Sequence, residues 1–172
     1  MENKFSLDSI KNKKYFYRPL IIILLFDILG FVFIIFYKKM DLQTSMIVFL
    51  GIILFSLVFY LIPLMLLFTN HTKNNKDFQL SIIENDENNI FKFTNKNDRI
   101  TFSESDVKKI VLHLTPPVYD DRTRWFFWDD YFYTKIITNE NELKISCLLC
   151  DDFSKYISKE KIIKEKTFFP LL

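Results

Sequence analysis

Residues 19–37 and 44–68 form two long apolar runs parted by only six residues, 38–43. A bilayer core roughly 30 Å thick takes about 20 mostly apolar residues at 1.5 Å rise each, and runs of 19 and 25 residues meet that length. The second run carries no charge, and its polar groups (Thr44, Ser45, Ser56 and Tyr60) are ones a helix pair tolerates; the first carries one charge, Asp27. The first run is also too long for the apolar core of a cleaved signal peptide, typically about 7–15 residues, and no alanine exists in the chain to form the usual cleavage site. Both runs therefore read as retained spans, joined as a membrane α-helical hairpin.

Orientation follows from basic residues beside the spans, which resist translocation. Lys4, Lys11, Lys13, Lys14 and Arg18 precede the first span, and Lys73 and Lys76, beside His71, follow the second. The connecting loop holds only Lys38 and Lys39. Both termini are thus expected in the cytoplasm. The organisation predicted is a cytoplasmic N-terminal segment (1–17), a two-helix transmembrane hairpin (18–68, spans 18–37 and 44–68), a linker (69–77) and a cytoplasmic domain (78–172).

Charge is divided unevenly along the chain. Residues 1–41 carry seven basic and four acidic groups, whereas residues 69–172 carry sixteen basic and seventeen acidic, a balance of −1. That near-neutral balance argues against a nucleic-acid binder, which needs a phosphate-facing basic surface. About 100 residues suffice for one modest domain with its own core.

Within that domain the apolar pattern turns from continuous to alternating. Phe78-Gln-Leu-Ser-Ile82, Ile90-Phe-Lys-Phe93 and Ile100-Thr-Phe102 alternate as half-buried strands do, separated by Asn/Asp-rich turns. Residues 103–106 read as a short turn or a single helical turn and 107–114 as a fourth strand, ended by Pro116-Pro117, which cannot donate to a ladder. Residues 131–138 and 142–149 read as a hairpin. In the tail, Phe153, Tyr156, Ile157, Ile162 and Ile163 fall at helical spacing, with Asp151 or Asp152 as cap. Six or so antiparallel strands closed by a C-terminal helix make a small barrel or sandwich.

Several stretches resemble a known family. Asp98-Arg-Ile-Thr-Phe-Ser-Glu-Ser-Asp-Val-Lys-Lys-Ile110, Tyr131-Phe-Tyr133, Leu143-Lys-Ile-Ser-Cys-Leu-Leu149 and Lys166-Thr-Phe-Phe-Pro170 are similar to the small PH-like (YcxB-like) domains attached to bacterial two-span membrane hairpins. The resemblance covers about residues 78–170. It implies a PH-like fold of two packed antiparallel sheets capped by a C-terminal helix, and no catalytic residues. Phosphoinositide binding is not implied, because residues 85–89 between the first strands are acidic rather than basic.

Three groups of residues are candidate sites. Asp27 lies near mid-span, where an ionised carboxylate costs roughly 2.5–3.5 kcal/mol. Folding the hairpin about Asp41 places it level with Phe55 and Ser56, so the Ser56 hydroxyl, or Tyr60 one turn on, is in reach. Its readings are a protonated lock within the hairpin or a homo-oligomer, a contact to a partner helix, or a relay. The run Trp125-Phe-Phe-Trp-Asp-Asp-Tyr-Phe-Tyr133 is the second. Trp125, Trp128 and Tyr131, with Arg122 and Arg124 ahead of them, are either core filling or a binding surface. Indole and phenol favour membrane boundaries, but Asp120, Asp121, Asp129 and Asp130 oppose anionic lipid and favour a protein partner. Third, Cys147 and Cys150 have the spacing of a zinc half-site, yet there is no second pair and an interval of three turns them to opposite faces. Buried thiols are expected, with no metal and no cofactor.

Phosphate-binding glycine loops are absent, since Gly30 and Gly51 both lie in the spans; so are G-x-S-x-G and H-E-x-x-H. The paired acids at 120–121, 129–130 and 151–152 read as solvated loop and cap positions. A non-catalytic, membrane-anchored interaction module that binds a protein partner is the leading expectation, at a bacterial inner membrane. A lipid or small-molecule sensor and an immunity or accessory protein acting through its hairpin are the alternatives.

Overall fold

The computed structural model describes residues 2–7, 11, 13–36, 41–85, 88–95 and 98–172. Lys38 and Lys39 of the hairpin loop lie outside the described residues, as do Asp86 and Glu87. Helix α1 (Arg18–Phe36) is entered through one wide π turn at Lys13–Tyr17. Helix α2 (Leu42–Ser56) passes through a second, Leu57–Leu61, into α3 (Ile62–Asn75). Each wide turn ends two residues before a proline, Pro19 or Pro63. Proline has no N–H and its ring presses on the carbonyl four residues back, so the ladder opens locally; the Ile62 N–H reaches the Leu57 carbonyl, five back. Asp41 starts α2, its carboxylate accepting from the Thr44 N–H at 3.0 Å.

The two helices pair along the hairpin. Phe31 and Phe49 pack in a tilted pair with ring centroids 4.4 Å apart. Only 17% and 11% of the most apolar stretches of the two helices are buried, whereas the core helix of a globular protein would be mostly buried. Both helices are long and apolar enough to cross a membrane.

Among the described residues, eight strands form two four-stranded sheets. The first runs in the order β1 (Glu2–Phe5), β2 (Gln79–Ile83), β3 (Ile90–Thr94), β4 (Arg99–Ser103), antiparallel throughout. The second runs β7 (Glu142–Ser146), β6 (Phe132–Thr138), β5 (Val107–Leu114), β8 (Ile162–Lys166). The first sheet's inward residues stand in register, Leu80 opposite Phe93 and Ile82 opposite Phe91, which in turn faces Phe102. These rings and aliphatics meet Val107, Ile110, Ile136 and Ile145 from the second sheet to form the main core. The alternation read from the sequence is thus the inward face of a sandwich.

Three expectations are corrected. The tail does not form a C-terminal helix: short 3-10 turns at Phe153–Tyr156 and Lys159–Lys161 lead into β8, which joins β5 in parallel. Residues Phe153 and Ile157 do face the core, but one tight turn supplies that spacing, and the β-branched Ile162 and Ile163 go into a strand. The second sheet is therefore mixed rather than wholly antiparallel, and no closed barrel forms among the described strands. Finally, the second strand of the β6–β7 hairpin stops at Ser146, short of Leu149. Two placements were not foreseen: residues 2–5 form an edge strand of the domain, and helix α3 carries through most of the expected linker, to Asn75.

Candidate functional site

A second apolar cluster joins the hairpin to the domain. Leu64 and Leu67 of α3 and Tyr15 and Ile23 of the first helical arm are buried against Trp128, Tyr131, Cys147 and Leu148. Pro19 cannot give the Tyr15 carbonyl its helical N–H, and that carbonyl accepts the Tyr131 hydroxyl instead, at 3.0 Å. The ring of Tyr131 is fully buried, edge-on to both Tyr15 and His71.

Polar groups on the last two turns of α3 complete the joint. His71 and Asn75 are four apart on one helix face and both are buried. The Pro170 carbonyl lies 2.7 Å from His71 Nε2. A carbonyl cannot donate, so Nε2 carries the proton, and the Ser146 hydroxyl donates to Nδ1 at 2.8 Å while accepting the Leu148 N–H at 2.9 Å. The Asn75 side-chain oxygen accepts the Ser146 N–H, and that of Asn70 accepts the Leu172 N–H. Burial holds His71 down at about 4. Sequence reasoning noted His71 only beside the flanking lysines and as too distant in sequence to join the cysteines, and passed over Asn70, Asn75 and Ser146; the helical interval of His71 and Asn75 was the signal available.

The expected Asp27 contact has a defined geometry: the Ser56 hydroxyl donates to its carboxylate at 2.7 Å. Tyr60 lies elsewhere, its ring 6.1–6.4 Å from those of Phe126, Phe127 and Trp128. The aromatic segment divides. Trp128 and Tyr131 belong to the buried cluster, whereas Trp125 is 80% and Phe126 41% exposed. Asp129, expected to be solvated, is buried; its carboxylate accepts the N–H groups of Trp125 and Phe126 at 3.0 and 2.9 Å and so shapes the loop tip. The short helix α4 (Pro116–Tyr119) precedes this loop and is capped by Asp120; the chain then turns at Asp121, whose φ of 52° suits a residue with a short polar side chain. Arg122 pairs with Asp120 and Arg124 with Asp130. Hydrogen bonds from Lys166 and Arg122 hold the Asp120 carboxyl below its usual range. An open depression of about 530 Å³ lies beside the tip, between Pro117, Arg122, Trp125 and Phe168.

Cys147 and Cys150 are free, buried and directed to different cores, Cys147 to the joint and Cys150 to the sandwich. Burial pushes both thiols up to about 11. His71, distant in sequence, has Nδ1 3.9 Å from Cys147 Sγ, but both its nitrogens are engaged. No group of three or more metal-ligating side chains occurs among the described residues.

A sequence model of a family described as PH domain matches residues 7–155. No curated protein and no solved structure matches the chain. The match takes in the hairpin as well as most of the sandwich, so that the helices and sheets joined at Tyr131 and His71 fall within one family unit: the chain belongs to the PH domain family.

Proposed function

We propose that this protein is a non-catalytic, membrane-anchored PH module that presents its sandwich to a protein partner at the inner face of a bacterial cytoplasmic membrane, in the manner of YcxB-like proteins. PH domains are generally interaction modules without catalysis, which favours binding over chemistry. The observation that carries the membrane-anchored part is the joint. Two largely unburied apolar helices are fastened to the domain by a buried cluster and by the His71, Asn75 and Asn70 hydrogen bonds. A flexible tether would leave the domain's orientation free; this joint fixes it relative to the hairpin. The near-neutral charge of residues 69–172 favours a protein over a strongly anionic ligand.

The test is photo-crosslinking in native membranes from Thr101, exposed on edge strand β4, and from Phe26, exposed on α1. A discrete protein adduct from Thr101 is expected. Adducts only with a second copy of the chain would replace the partner by a homo-oligomer, and the absence of any protein adduct from either position would sink the reading.

A further inference from the structure

Tyr60 reports the depth of the aromatic loop. Met65 and Leu66 follow it on the same helix, about 7–9 Å nearer the domain at 1.5 Å per residue, and both are about half exposed. On a spanning helix such side chains are covered by lipid, so lipid extends past the level of Tyr60 toward the domain. Long helical side chains also lean toward the helix N-terminus, and the Tyr60 ring does so, lying 6.1 Å from that of Phe55. The loop rings of Phe126, Phe127 and Trp128 meet Tyr60 at that depth.

We propose that Trp125 and Phe126 form a wedge inserted at the headgroup–acyl boundary of the leaflet beneath which the domain sits, a third anchor beside the two spans. The proposal rests on the reading of the hairpin as membrane-spanning. Its occupant is the bilayer. Trp and the apolar ring beside it suit that boundary, and three of the four carboxylates that would oppose it are already engaged, while Asp121 stays exposed at the depression beside Trp125. Asp129 is capped by two backbone N–H groups, Asp130 is paired with Arg124, and Asp120 with Arg122 and Lys166. The Asp129 cap holds the tip in shape before lipid is met, so little ordering is left to oppose insertion.

Trp125 and Trp128 are the two tryptophans of the chain, so W128F leaves Trp125 as sole indole. The full-length variant is placed in vesicles of phosphatidylcholine and phosphatidylglycerol, with and without bromine on the upper acyl chain. Loss of most of the Trp125 emission to bromolipid, with protection from aqueous iodide, is expected. Emission untouched by bromolipid overturns the wedge, whether iodide reaches the ring or a partner shields it. Should W128F fail to fold, the difference between the unaltered protein and W125F gives the same reading. F26W in a W125F background reports the spanning helix. Quenching of F26W without quenching of Trp125 removes the wedge alone, whereas no quenching of F26W removes the spanning reading beneath it.

Discussion

The imidazole of His71 has no ready place for a second proton. Its Nε2–H is committed to the Pro170 carbonyl, and its Nδ1 accepts from a Ser146 hydroxyl that must also receive the Leu148 N–H. Charging the ring would force that hydroxyl to turn and would strand a cation in a fully buried site. Burial lowers the folded-state value to about 4, against about 6.5 for an unfolded histidine. The unfolded chain therefore takes up the proton first as pH falls. The stabilisation from neutral His71 is complete above about 6.5, declines below it and is lost by about 4, so linkage alone removes about 2 kcal/mol between pH 7 and pH 5. Unfolding in mild detergent, followed against pH, should show that slope in the native protein. H71Q, already less stable at pH 7, should show a flatter profile; parallel profiles would mean that other groups dominate. The legibility of Asp27 and His71 differs for a physical reason. A short loop makes a hairpin almost a mirror, so the Ser56 partner of Asp27 can be counted off the sequence. The partners of His71 lie 75 and 99 residues away, and no local rule brings them together.

At the scale of elements, the strands of the sandwich were readable because one buried face imposes a period of two, as in Leu80 and Ile82 or Phe91 and Phe93. The two ends of the chain were not. Lys161-Ile-Ile-Lys-Glu-Lys166 has no alternation, because β8 is a sheet edge with little buried face, and its lysines blunt that edge against further pairing. Residues 2–5 are likewise too short and too polar to declare a strand alone; they form β1 only because β2 offers an open edge. Phe5 is the apolar contribution of β1, packing on the main core edge-on to Tyr156. Replacing it with alanine should cost about 1–2 kcal/mol, less than a fully buried ring because Phe5 is only partly covered. Deleting residues 2–5 should cost more than F5A and expose the β2 edge, so aggregation at elevated temperature should rise with it. A thermal melt that places the deletion no lower than F5A would show that β1 contributes its ring but not its ladder.

At the scale of the whole molecule, β1 decides the topology independently of loop charge. It precedes both helices and pairs with β2, which follows them, so the N-terminal segment and the sandwich must stand on one side of any membrane the hairpin crosses. Which side that is, the proposed orientation takes from the basic residues flanking the spans, which resist translocation. Both arguments meet in one labelling experiment, for which the protein is already suited: its own thiols are buried and pushed up to about 11, and thiolate is the reactive form. Single cysteines are placed at Asn3 on β1, which is partly exposed, and at Thr101 on β4 and Gln43 in the first turn of α2, both exposed. An impermeant maleimide should label Q43C in intact cells and reach N3C and T101C only once the membrane is opened, with the unaltered protein unlabelled throughout. Reversal of the three would place the domain outside, contrary to the charge argument. Labelling of all three in intact cells would mean that the hairpin does not span. Labelling of N3C and T101C on opposite sides would break the β1–β2 pairing itself, and with it the fold that joins the hairpin to the domain.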